Sequence, residues 1–181
     1  FGDAYWVWAP QTIYDRKAKK YMIYFTLQRN DRKSLITYYA YANKDFTGFE
    51  SEPKQLFSAK YGSIDNDIIE KDGTYHLFYK GNTKDENGKE IKNGIQQATS
   101  KSLKGKWKED FKYLDAYAGK TPVEGSSIFK LNGKDEYVLM YDMYTSGRYE
   151  YQTSTDLYHF SEPKAFTKDF FPRHGSVISL T

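Results

Sequence analysis

The stretch Ile68-Ile69-Glu70-Lys71-Asp72-Gly73-Thr74-Tyr75-His76-Leu77-Phe78-Tyr79 decides how the rest of the chain reads. Two apolar, β-branched and aromatic runs flank an Asp-Gly pair, the composition of two strands joined by a tight turn. The same phrase occurs twice more. Ile13-Tyr14-Asp15 is followed by Tyr21-Met22-Ile23-Tyr24-Phe25, and Ile128-Phe129-Lys130 by Tyr137-Val138-Leu139-Met140-Tyr141, with Asn132-Gly133 at the second turn. The starts Ile13, Ile68 and Ile128 lie about 55–60 residues apart. Further strands are expected at Leu35–Ala42, Gly94–Thr99 and Tyr149–Ser154, so each unit holds three or four antiparallel strands. Each unit also has a polar turn on its outer side: Asn43-Lys44-Asp45-Phe46, Ser100-Lys101-Ser102-Leu103 and Ser154-Thr155-Asp156-Leu157.

Four-stranded units that repeat at this period are propeller blades, whereas a sandwich gives short strands no reason to repeat their sequence. The expected fold is therefore all-β, a β-propeller of which the chain holds about three blades. The blade-like units run over residues 5–60, 61–120 and 121–170, and the inner strand of a further blade over 172–181. Residues 82–93 are expected to form a long surface loop. The opening Phe1-Gly2-Asp3 and the apolar end at Thr181 suggest a piece of a longer protein.

Composition narrows the function classes. Of 181 residues, 27 are basic and 24 acidic, a formal charge of +3 that is too balanced for a nucleic-acid or anionic-membrane surface. Leu, Ile, Val and Phe make up only about a fifth of the chain, and the missing hydrophobicity is carried by 18 tyrosines. With no cysteine, disulfide scaffolds, thiolate zinc sites and thiol nucleophiles are excluded. No run approaches the roughly 18 apolar residues of a membrane-spanning helix.

In a propeller the inner strand of each blade lines a shared channel. The residues that open these strands are Trp8-Ala9-Pro10-Gln11, Ser63-Ile64-Asp65-Asn66-Asp67, Val123-Glu124-Gly125-Ser126 and Arg173-His174-Gly175-Ser176. Positions that folding alone would leave interchangeable carry Gln, Asp, Glu and His. Two carboxylates meeting across a channel push one pKa upward, which keeps a general acid protonated near neutrality. Strand alternation sends Asp65 and Asp67 to one face, so either can reach the channel.

These motifs, in this order and spacing, resemble the family 43 glycoside hydrolases. The resemblance implies a five-bladed propeller and inverting hydrolysis of arabinose- or xylose-containing plant glycans, as by an α-L-arabinofuranosidase, endo-arabinanase or β-xylosidase. It makes Glu124 the general acid and Asp65 the residue that tunes and orients it. It also implies a carbohydrate partner, no required cofactor, a possible calcium ion beside His174 on the axis, and an extracytoplasmic location. The family's general base lies upstream of Trp-Ala-Pro. Asp3, the only acidic residue before Trp8, lacks the surrounding motif and is not assigned that role. An inverting pair stands about 6.5–9.5 Å apart to admit a water.

Other substrate-binding candidates are Trp8, Gln11, Arg148 and His174. Trp8 reads as core or as an apolar platform for a sugar face. Gln11 stands where many relatives carry Glu. Arg148 reads as a rim residue for a hydroxyl or carboxylate, or equally as a solvated turn residue. His174 reads as an axial group or a structural histidine, while His76 and His159 are strand and turn residues. The runner-up function is a non-catalytic carbohydrate-binding propeller. A protein-binding propeller would instead have an apolar channel mouth.

Overall fold

The structure, a computed structural model, describes residues 2–32, 35–81, 94–114, 117, 121–167, 169–170 and 172–178, with the backbone alone at 111–113. The loop expected over 82–93 lies outside the described residues. Every regular element among them is a strand. β1 (Ala4–Asp15), β2 (Lys20–Arg29), β3 (Leu35–Tyr41) and β4 (Lys54–Phe57) form one antiparallel sheet in chain order. β5 (Ser63–Lys71), β6 (Thr74–Gly81), β7 (Ile95–Ser100) and β8 (Lys108–Tyr113) form the second, and β9 (Glu124–Lys130), β10 (Tyr137–Met143), β11 (Arg148–Ser154) and β12 (Lys164–Ala165) the third. β1 lies against β5 and β5 against β9. The first strands of successive sheets thus meet, the arrangement of propeller blades about a common axis.

The blades are held face to face by aromatic and aliphatic side chains. Met22, Tyr24, Phe57, Ile68, Leu77 and Tyr79 form the core between the first two blades; Phe78, Ile128, Leu139, Tyr141 and Leu157 form that between the second and third. Burying each such side chain contributes roughly 1.5–3 kcal/mol. The tyrosines also need hydrogen bonds for their hydroxyls. Tyr24 donates to Asp67 at 3.2 Å, Tyr79 to Glu109 at 3.2 Å and Tyr141 to Gln152 at 3.0 Å.

The turn at Asp72-Gly73 has positive φ at both residues, 50° and 74°, and joins Lys71 directly to Thr74. Asn132-Gly133 behaves differently. Only Gly133 has positive φ (72°), and pairing resumes at Lys130 with Tyr137, so this loop is wider than the pair suggests.

The outer strands β4, β8 and β12 have no counterpart in the periodicity. They are short, open with Lys, and have a ladder partner on one side only, so no alternating pattern is required of them. Residues 172–178, expected to form an inner strand, hold none. Extended backbone needs a neighbour for its N–H and C=O groups, and no described strand pairs with this segment. Side chains hold it instead: the Gly175 amide donates to Tyr149 Oη at 3.0 Å and Gln11 Nε2 to Ser176 Oγ at 3.2 Å.

Candidate active site

Each inner strand breaks at the same place. Register shifts fall between Trp8 and Gln11 in β1, between Ile64 and Asp67 in β5, and between Glu124 and Ser127 in β9. In each, two residues oppose one on the partner strand, the two-against-one geometry of a β-bulge. The first bulged residue has a positive φ every time: Ala9 at 41°, Asp65 at 53° and Gly125 at 64°. His174, the corresponding residue of the fourth motif, has φ 47° without a strand around it. A non-glycine residue in this region costs of order 1–3 kcal/mol, and such strain concentrates at functional sites. The bulge also cancels the alternation that would have put Asp65 and Asp67 on one face.

Asp65 turns toward the third blade. Its Oδ2 accepts the Gly125 amide at 2.9 Å, and its carbonyl accepts Ser126 Oγ at 2.6 Å. That holds Asp65 beside Glu124, the residue preceding Gly125. His174 stands between the two carboxylates, with Nε2 at 3.2 Å from Glu124 Oε1 and Nδ1 at 3.7 Å from Asp65 Oδ1. Two further cations close on Glu124: Lys80 Nζ at 3.1 Å from Oε2 and Arg173 Nη2 at 2.7 Å from Oε1. Lys80 also lies over the Tyr144 ring at 4.6 Å, which fixes its stem.

The electrostatics reverse the expectation for the pair. Burial raises the Asp65 carboxyl, against the Gly125 amide and the charge of His174, which lower it; nearby Glu124 raises it further. Burial also works to raise Glu124, but the His174 hydrogen bond and the Lys80 charge outweigh it and take the carboxyl down to about 2. Its hydrogen bond to Glu124 raises His174, against desolvation, with the Asp65 charge adding to the rise. The resting cluster is therefore an ionised Glu124 in a cage of cations beside a buried carboxyl that holds its proton more tightly than usual.

The other sequence candidates lie elsewhere. Asp67 is buried between blades, accepting Tyr24 Oη, its own Ile68 amide at 3.0 Å and the Ile128 amide at 2.8 Å. Trp8 is partly exposed and stacks on Trp6 with ring centroids 6.0 Å apart. Gln11 reaches Ser176, one residue past Gly175, and not the carboxylates. Arg148 pairs with Glu150 on its own strand, and Glu150 also accepts the Tyr117 hydroxyl. The sequence reading missed Lys80 and Asp142, which come from second strands and arrive opposite Ile64 and Glu124 through register alone. Arg173 was missed as well, although it occupies the motif slot that Glu124 occupies one blade earlier.

Asp65, Glu124 and His174 place one ligand atom each within 4.8 Å of one another. This set does not fit the calcium ion expected beside His174. Calcium takes 6–8 oxygen ligands, whereas both Glu124 oxygens here already face cations and Asp65 Oδ2 holds a backbone amide.

Comparison with known proteins places these features. Residues 2–181 match a family model described as "Probable glycosyl hydrolase domain", related to glycosyl hydrolase family 43. No curated protein is similar enough in sequence to count as a match. Among solved structures, fructofuranosidase from Schwanniomyces occidentalis in complex with fructose aligns over 93% of this chain and 36% of its own, at 12% identity and TM-score 0.73. An exo-β-1,3-galactanase from Clostridium thermocellum aligns over 91% and 36%, at 14% identity and TM-score 0.62. An endo-arabinase from Bacteroides thetaiotaomicron aligns over 90% and 57%, at 18% identity and TM-score 0.57. Identities this low speak to the shared fold alone. The chain spans between about a third and about three-fifths of the length of these structures.

Proposed function

The chain belongs to the family 43-related glycosyl hydrolase domains, and on that premise we propose that it supplies the acid half of a glycosidase active site. The observation that carries this reading is the joining of Asp65 and Glu124. They rise from corresponding bulges of adjacent blades, linked by the Gly125 amide at 2.9 Å and bridged by His174. Glu124 delivers a proton to the leaving-group oxygen of a glycosidic bond. Asp65 orients the backbone from which Glu124 projects, and His174 relays charge between them.

Glu124 must be protonated to act. A substrate oxygen that displaces the half-exposed Arg173 side chain removes one cation and brings in a sugar ring, and both changes move the carboxyl upward. The substrate we assign is a plant glycan bearing arabinose or xylose. The general base belongs to sequence outside these residues, and the whole protein is an inverting enzyme.

The test uses a version extended upstream, assayed on aryl α-L-arabinofuranosides, β-D-xylosides and β-D-galactosides with good and poor leaving groups. Glu124→Gln is expected to slow the poor leaving group about 10²–10⁴-fold and the good one much less. Unchanged turnover of the poor leaving group removes the acid role. A pentoside preference supports the assigned glycan, and a galactoside preference replaces it.

The cation cage favours one alternative, a propeller that binds sugar hydroxyls through a permanently ionised Glu124 and does not hydrolyse. Oligosaccharide binding without turnover by the extended protein selects it.

A further inference from the structure

Asp142 lies on β10 with 1% of its surface exposed, and its partner across the ladder is Glu124. Directly opposed residues of an antiparallel pair share a face, so two carboxylates stand side by side, an arrangement that repels. Arg173 answers both. Its Nε donates to Asp142 Oδ2, and its Nη2 donates to Glu124 Oε1 at 2.7 Å. A planar guanidinium presents these donors at a fixed spacing, which an ammonium cannot. The segment carrying Arg173 and His174 has no ladder hydrogen bonds over 172–178. Its position depends on side-chain bonds, and the one to Asp142 ends on a carboxylate with 1% of its surface exposed.

We infer that Asp142 is a positioning residue: it anchors the Arg173 guanidinium and thereby sets Arg173 and His174 over the Asp65–Glu124 pair. Asp142 is too buried to touch a sugar, so it acts through Arg173. The consequence for catalysis rests on the acid role proposed for Glu124; the anchoring itself does not. The groups facing Glu124 are Lys80 from β6, Asp142 from β10, Asp65 from β5, and Arg173 and His174 from the terminal segment.

The experiment follows the Glu124 carboxyl by ¹³C NMR titration in the 181-residue chain. Taking away a neighbouring negative charge alone makes Glu124 lose its proton more readily, whereas losing Arg173 makes it hold the proton more tightly. Asp142→Asn is therefore expected to tighten proton binding at Glu124 about tenfold. In an Arg173→Gln background the same substitution is expected to weaken it, because no anchor remains to be lost. Weaker or unchanged proton binding on Asp142→Asn in the native background overturns the inference. If Asp142→Asn does not fold, the Arg173 Nε–H resonance of the unsubstituted chain decides. Protection from solvent exchange supports the anchor, and exchange as fast as that of a solvated arginine overturns it. None of these readouts uses turnover, so a failure here is distinct from a failure of the Glu124→Gln assay.

Discussion

The Gly125 amide donates to Asp65 Oδ2 at 2.9 Å, so the two strands bearing the site's carboxylates are joined at the residue next to Glu124. Gly125 also makes room for the fourth motif. A Cβ built there would lie 3.2 Å from His174 Nδ1 and 3.4 Å from its Cα, on a residue whose φ is 64°. Gly125→Ala thus combines a left-handed backbone with a steric push on His174. It is expected to cost ~1–2 kcal/mol in urea unfolding and to change the His174 imidazole titration followed by NMR. An alanine variant of unchanged stability and unchanged His174 titration would show that the close approach is not required.

Glu124 makes a prediction about acid stability with a definite sign. Its folded carboxyl is held at about 2, below the ordinary 4.5. A depressed acid contributes stability above its unfolded pKa, and that contribution is lost as the pH falls through the folded value. The difference in urea midpoint between the unsubstituted chain and Glu124→Gln should accordingly shrink from pH 5 toward pH 2. A difference independent of pH would mean that the cations do not hold the carboxylate in solution.

Asp67 carries the opposite sign. Burial raises its carboxyl to about 7, against the hydrogen bonds from the Ile128 amide and Tyr24 that lower it. A raised acid stabilises the fold fully below its unfolded value near 3.8 and loses that contribution as the pH climbs to about 7. Asp67→Asn places an amide –NH₂ among N–H and O–H donors, and is expected to cost ~1–3 kcal/mol. The cost should be larger at pH 4 than at pH 7 by chemical denaturation. A constant cost would mean that Asp67 is ionised throughout.

Much of this architecture is readable in the sequence. The repeated hairpin phrase around Ile13, Ile68 and Ile128 marks the blades because identical packing duties impose identical residues. Asp72-Gly73 marks its turn because two positive φ values exclude most side chains. The motifs at Trp8, Ile64, Glu124 and Arg173 were visible as repeats, but not as bulges. A bulge is defined against a partner strand, and so the alternation argument for Asp65 and Asp67 failed there. Lys80 and Asp142 were hidden for a related reason: each reaches the site through cross-strand register, which spacing along one chain does not reveal. The sign of the Glu124 shift depends on the His174 hydrogen bond and on Lys80, and so could not be read without that register.

Arg148 offers a test that separates the binding site from the scaffold. It faces Met143 where β10 and β11 meet, and its guanidinium is spent on Glu150, a fully buried carboxylate whose other oxygen takes the Tyr117 hydroxyl. Arg148→Ala leaves that buried carboxylate with the Tyr117 hydrogen bond but without its cation. Removing the exposed cation from a buried carboxylate leaves that carboxylate's desolvation less compensated, at a cost of ~1–3 kcal/mol, with Tyr117 keeping the loss below that of a fully orphaned charge. The variant should lower the urea midpoint while leaving oligosaccharide affinity of the extended protein and the Glu124 titration of the 181-residue chain unchanged. The reverse result, unchanged stability with weaker sugar binding, would move Arg148 to the pocket rim and make the Glu150 contact incidental.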